Sequence, residues 1–150
     1  MDDQHKPEWI KVDEWDFVEY VDSLLRSQEA VDLEFKTARA GFPNSVWETY
    51  SSFANTDGGT IVLGIKEKNG ALFVEGLLPE QIVSYRQIIC NQLNNPDCVN
   101  VNLLTDKNIQ EVDYRGKSLL LIYVPRASRS QRPVYLTRNP LRSEERRVGK

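Results

Sequence analysis

Between Val46 and Ala54 the apolar side chains of Val46, Trp47, Tyr50, Phe53 and Ala54 recur at helical spacing, and this stripe predicts a helix with one buried face. Pro43 and Asn44 interrupt what comes before, and Ser45 followed by Glu48 has the spacing of a capping box, so the helix is expected to start at Val46. Asn55-Thr56-Asp57-Gly58-Gly59 ends it, because paired glycines accept backbone angles that side chains forbid. Thr60 to Ile65 follows as a short, apolar, β-branched strand. Gly64 inside that run predicts that another group approaches the backbone closely.

The other segments are fitted around this unit. Trp15 to Ser27 predicts a first helix, with Phe17, Val18, Val21, Leu24 and Leu25 on its apolar face, Asp13 as N-cap, and Asp16, Glu19 and Asp22 on a solvated face. Val31 to Lys36 alternates, placing Asp32, Glu34 and Lys36 together on the polar side of a half-buried strand. Lys68-Asn69-Gly70 reads as a turn that returns Ala71 to Glu75 as the hairpin partner of Thr60 to Lys66. Pro79 opens a third helix whose buried stripe is Ile82, Tyr85, Ile89 and Leu93, and Asn94-Asn95-Pro96 ends it. Three strands are expected at Val99 to Leu104, Ile109 to Tyr114 and Lys117 to Val124, the last two joined by a tight turn at Arg115-Gly116. Arg126 to Arg132 is a basic loop, and Val134 to Thr137 a short final strand. The expected fold is α+β, three helices packed on a mixed, mainly antiparallel sheet.

A chain of 150 residues is long enough for one domain with its own core, and 40% hydrophobic and 27% charged content is ordinary for a soluble globular protein. Cys90 and Cys98 have neither a disulfide framework nor a metal spacing with His5, which fits reduced thiols. No apolar run approaches a membrane span and no signal-peptide pattern opens the chain, so a cytoplasmic protein with no membrane association is expected. The last ten residues, LRSEERRVGK, lose the preceding alternation and resemble translated adaptor sequence; residues 141–150 are set apart as a non-native tail. The natural protein is then expected to continue past Asn139, with further C-terminal domains. Residues 1–28 form the lead-in and first helix, and residues 29–140 the main domain.

Total charge does not favour nucleic acid: the net charge is −3, and removing the tail leaves 15 basic against 20 acidic residues. Distribution is more informative. Residues 1–34 carry 11 acids against Lys6, Lys11 and Arg26, whereas residues 115–138 carry six arginines and lysines and no acid.

Leu33-Glu34-Phe35-Lys36, the capped helix, Phe53-Ala54-Asn55-Thr56-Asp57-Gly58-Gly59 and the strand ending Gly64-Ile65 occur here in an ordered series. Val124-Pro125-Arg126-Ala127 and Arg132-Pro133-Val134-Tyr135 complete it. The series resembles the Alba-like domain shared by Schlafen proteins and many bacterial transcriptional regulators, over roughly Glu29 to Asn139. By that resemblance, the two glutamates five residues apart ahead of Phe-Lys and the acid after the Gly-Gly strand, which are catalytic in Schlafen nucleases, fall on Glu29, Glu34 and Glu67. The family's usual aspartate is a longer glutamate at Glu67.

Such carboxylates could hold Mg²⁺ or Mn²⁺, hard cations that take oxygen ligands and can activate water at a phosphodiester. Against this stands the plainer reading, in which Glu34 pairs with Lys36 or Lys66 and the other two are surface charges. Arg126, Arg129 and Arg132, with Ser128 and Ser130 between them, are the phosphate-contact candidates, since guanidinium forks match phosphate oxygens; Lys36 joins them, and Tyr135 could stack on a base. A solvated loop whose arginines pair with the acidic N-terminus is the competing reading. Asn55, Asp57, Gly58 and Gly59 are assigned to the structural turn. No lysine follows the glycines and the turn leads from helix to strand, which argues against a nucleotide loop. The expectation is a DNA- or RNA-binding module at the N-terminus of a transcriptional regulator. A metal-dependent RNA endonuclease is the alternative, followed by an ATP-binding or helicase-related regulator and a protein-interaction module, with a homodimer possible.

Overall fold

The computed structural model describes residues 32–137 together with Asp22 and Arg26. Its elements are β1 (Leu33–Lys36), α1 (Val46–Ala54), β2 (Gly59–Leu63), β3 (Ile65–Lys68), β4 (Ala71–Val74), α2 (Pro79–Leu93), β5 (Ile109–Tyr114) and β6 (Lys117–Val124), with a 3-10 turn at Asp106–Asn108. A four-stranded sheet runs β1-β2-β6-β5; β1 is parallel to β2, and the other two pairings are antiparallel. The fold is therefore α+β with a mixed sheet. The first expected helix lies outside the described residues apart from Asp22 and Arg26, both helical, and among the described residues there are two helices rather than three.

Strand register sorts the side chains into two layers. Ile61, Leu63, Leu120, Ile122, Val124 and Ile109 face α1 and α2 and form the larger core with Val46, Trp47, Tyr50, Phe53, Ile82, Tyr85 and Ile89. Val62, Val112, Leu119, Leu121 and Tyr123 face the other way, joined by Ile65 and, from the margins, Leu33, Phe35, Leu72 and Val74. All five residues of β2 are buried, as its run of apolar, β-branched residues requires for a strand covered on both sides. The stripes of both helices fall where their periodicity puts them.

Gly64 corrects the expected hairpin. Thr60 to Ile65 is not one strand: the chain turns at Gly64 (φ +112°), and Ala71–Val74 pairs with Ile65–Lys68 in a separate two-stranded sheet, leaving β2 to β1 and β6. A side chain at Gly64 would stand 2.8 Å from Leu119 Cδ2, the close approach expected there. The hairpin turns at Asn69-Gly70 and Arg115-Gly116 form as expected, all four residues at positive φ. Val99 to Leu104 and Val134 to Thr137 are not strands; they meet in a single bridge between Val99 and Leu136. Side chains take the place of the ladder. The Tyr50 hydroxyl donates to Val101 O (2.6 Å) and accepts from Leu103 N (3.0 Å), while Asn100 accepts from Tyr135 N (2.8 Å) and donates to Pro133 O (3.0 Å).

Candidate functional site

The turn that ends α1 and the basic loop after β6 are built as one piece. Thr56 N and Gly58 N both donate to Phe53 O (3.1 and 2.8 Å), closing the helix end, and Ala127 N of the basic loop donates to Ala54 O (2.8 Å). A helix C-terminus leaves carbonyls unpaired, and here the loop backbone satisfies one of them. Asn55 does more than end the helix. Its Nδ2 donates to Val134 O (2.8 Å) and its Oδ1 accepts from Val134 N (2.8 Å), so one amide holds both polar groups of one distant residue. Ser51, one turn earlier, donates to the same carbonyl (2.7 Å).

Gly58 and Gly59 let these parts approach. At Gly58 (φ +81°) a Cβ would lie 2.8 Å from Val124 O and 3.2 Å from Arg126 N; at Gly59 it would lie 2.7 Å from the Phe53 ring. The glycines are thus required by backbone and ring contacts as well as by turn geometry. Asp57, exposed beside them, completes the turn.

On this base the loop presents its cations. Arg126, Ser128, Arg129 and Ser130 are exposed, and Arg132 is half-buried with its Nε enclosed and without a hydrogen-bond partner among the described residues. Gln131 accepts from Ser128 N (2.9 Å), and Gln131 N and Arg132 N donate back to Ser128 O (3.0 and 3.1 Å), which fixes the loop locally. Tyr135 is 52% exposed on a backbone held by Asn100 from both sides. The ion pairs of the described residues are Lys36 with Glu34 and Arg115 with Asp22, and neither uses the loop arginines.

Lys36 makes the pair with Glu34 that the plainer reading expected, and both it and Asp22 have partners that the sequence pattern did not suggest. Lys36 is nearly buried: its ammonium donates to Ser45 Oγ (3.0 Å) and lies 3.6 Å from Glu34. The Ser45 hydroxyl therefore makes no side-chain cap bond to the helix, and the expected capping box is not formed. Lys36 is level with Leu63, roughly 13 Å along the sheet from the Gly59–Val124 pair beside the loop, so it is not part of the loop's surface. Asp22 is likewise no free solvated acid. It accepts from the Tyr114 hydroxyl (2.6 Å) and from Arg115 (3.0 Å), whose guanidinium also stands 5.2 Å from the Tyr114 ring centre. The Tyr114 hydrogen bond, with Arg115 beside it, holds the Asp22 carboxyl below its ordinary range.

Of the proposed metal ligands, Glu29 lies outside the described residues. Glu34 stands on the helix-side face of β1 beside Lys36, and Glu67 is exposed on the β3–β4 hairpin, whose Leu72 and Val74 pack against the opposite core layer. Among the described residues no three His, Cys, Asp or Glu side chains are grouped to hold a metal ion. The described residues alone thus do not fit a Mg²⁺ or Mn²⁺ site. No helix among them is long and apolar enough to cross a membrane.

Comparison with known proteins agrees with the motif series. The solution structure of the N-terminal domain of a RecG-related protein from Nitrosomonas europaea is similar, with a TM-score of 0.62 and 29% identity over 79% of this chain and 78% of that one. The DIP2311 protein from Corynebacterium diphtheriae is matched at a TM-score of 0.49 and 23% identity, over 78% of this chain and 23% of that one. No curated protein matches. The Schlafen AlbA_2 family model matches residues 29–147, and the chain belongs to that family.

Proposed function

We propose that this domain is a nucleic-acid-binding module of Alba-like kind that serves as the N-terminal part of a larger regulator, and that it docks phosphates through Arg126, Arg129 and Arg132. The observation that carries this reading is the state of the loop. Its arginines enter none of the ion pairs of the described residues, two of them are exposed, and their backbone is fixed to the end of α1 through Ala54 and Asn55. Holding cations on a fixed frame reduces the ordering cost of binding, and guanidinium groups suit phosphate oxygens. Tyr135 offers a ring face to a base. The similar domain from Nitrosomonas europaea carries a name that refers to an ATP-dependent DNA helicase, which agrees with work on nucleic acid.

Fluorescence anisotropy with DNA and RNA at low salt tests the proposal. Binding is expected to weaken steeply as salt rises, since each phosphate contact releases counterions. Replacing Arg126 and Arg129 together by alanine is expected to weaken it at least tenfold without moving the melting temperature. No binding of either nucleic acid, or unchanged affinity in the double variant, would overturn the reading.

A further inference from the structure

Among the described residues two aromatic side chains are strongly exposed, Tyr135 and Phe73, each at 52%. Tyr135 stands just beyond the basic loop, three residues after Arg132, on a backbone held by Asn100. Phe73 stands on β4 directly opposite Lys66 of β3, and Lys68 follows in the same row, opposite Ala71. Alternation along the hairpin separates this row from the core: Ile65, Leu72 and Val74 pack inward, so Lys66, Lys68 and Phe73 occupy the outward face. The acid that continues the row, Glu75, is engaged elsewhere, its carboxylate accepting from the Thr37 hydroxyl (2.7 Å) and its carbonyl from Arg39 (3.2 Å). Phe73 thus stands across from a lysine, and Tyr135 follows the arginine loop by three residues, the two rings at opposite ends of β2.

We infer that the outward face of the β3–β4 hairpin is a second nucleic-acid contact, in which Lys66 and Lys68 meet phosphates and the Phe73 ring stacks on an unpaired base. The inference rests on the nucleic-acid reading of the arginine loop and adds a class of ligand to it. A ring used for stacking needs a base whose face is free, so the preferred ligand is a single strand. Gly59 to Leu63 is about 13 Å at 3.3 Å per residue, and the chain turns at Gly64 directly into the hairpin, so a single strand of modest length reaches from the loop to the hairpin. The contact is sequence-tolerant, since every base has a ring face and every nucleotide a phosphate.

The test compares hairpin and loop variants of the full chain on a single-stranded 20-nucleotide oligomer, about 20 being ample for that span, and on its duplex. Phe73→Leu is expected to weaken single-strand binding about tenfold, and Phe73→Tyr, which keeps the ring, to restore it. Lys66→Gln with Lys68→Gln is expected to reduce the slope of log affinity against log salt by about 1.5, the loss of two phosphate contacts. Each side chain points outward, so thermal melts should match the parent; a thermal melt of each variant checks this. If the hairpin variants bind like the parent while Arg126→Ala with Arg129→Ala weakens binding, the hairpin inference is wrong and the loop reading stands. If the hairpin variants lose only affinity for another protein, the face is a protein contact and the inference is likewise wrong. If the parent binds no nucleic acid, the loop reading itself fails.

Discussion

The two ends of β2 solve the same problem by different means. At each end the chain leaves a fully buried strand next to a glycine at positive φ, Gly58 at one and Gly64 at the other. Beyond Gly64 the chain folds on itself: a four-residue strand, a tight turn at Asn69-Gly70 and a returning strand, all between neighbours in sequence. Before Gly58 the turn is joined to a loop some seventy-five residues later, by the Asn55 amide on Val134 and the Ala54 carbonyl on Ala127. A locally coded hairpin is cheap to form, whereas a surface assembled from distant segments needs specific side-chain bonds to define it. The teaching is that irregular backbone can be as firmly placed as a strand when side-chain amides replace the ladder.

That contrast can be broken at its strongest point with Gly59→Val. The new side chain would start 2.7 Å from the buried Phe53 ring, and the expected loss is about 3 kcal/mol of stability, with binding lost as a consequence of the fold defect. Chemical denaturation measures it; a variant that unfolds like the parent yet fails to bind would place the ligand on the turn itself. Gly58→Val should behave similarly, because its clash is with main-chain atoms that cannot rotate away.

A smaller effect sharpens the comparison. Asn55→Ala removes both bonds to Val134 and leaves a peptide group short of partners, for an expected cost of about 2 kcal/mol. Its signature is faster amide exchange at Val134 and weaker nucleic-acid binding, while amides in the β3–β4 hairpin keep their protection. Equal loss of protection at both ends of β2 would mean that the clamp is not local.

The smallest effect is a pH dependence. Burial pushes the Tyr50 hydroxyl from its ordinary 10 up to about 12. The unfolded chain then ionises first, so stability is full below pH 10 and falls as pH rises through about 12, by about 2 kcal/mol at most. Tyr50→Phe should remove that alkaline slope, which denaturation series at rising pH would show.

Much of the fold was legible in the sequence because its signals are local. The stripes of both helices, Pro79 at the start of α2 and the two hairpin turns depend on residues a few places apart. Two strands were misread at Val99 to Leu104 and Val134 to Thr137, since their apolar alternation is real but Tyr50, Asn55 and Asn100 satisfy their backbones instead of a partner strand. The candidate site was legible as charge and composition, in the acid-free run around Arg126 and Arg129. Its framing was not. Asn55 read as a helix stop, Asn100 and Gln131 carried no pattern, and Lys36, whose pairing with Glu34 the alternation did suggest, was also read as a phosphate contact because nothing nearby in sequence announces Ser45 as its second partner. Long-range polar bonds leave no period to detect.

The clamp between Asn55 and Val134 also orders events in time. During synthesis, the helix and β2 can form while the loop is still unmade, and the arginine surface exists only after the chain has been extended past Val134 and returned to the end of α1. A nascent chain that has passed Arg132 but stops short of Val134 therefore has the cations but not the surface. By mass action, a ligand that engages the completed surface draws the whole domain toward its folded form, so a rise in melting temperature on adding nucleic acid reports assembly of both ends of the clamp at once.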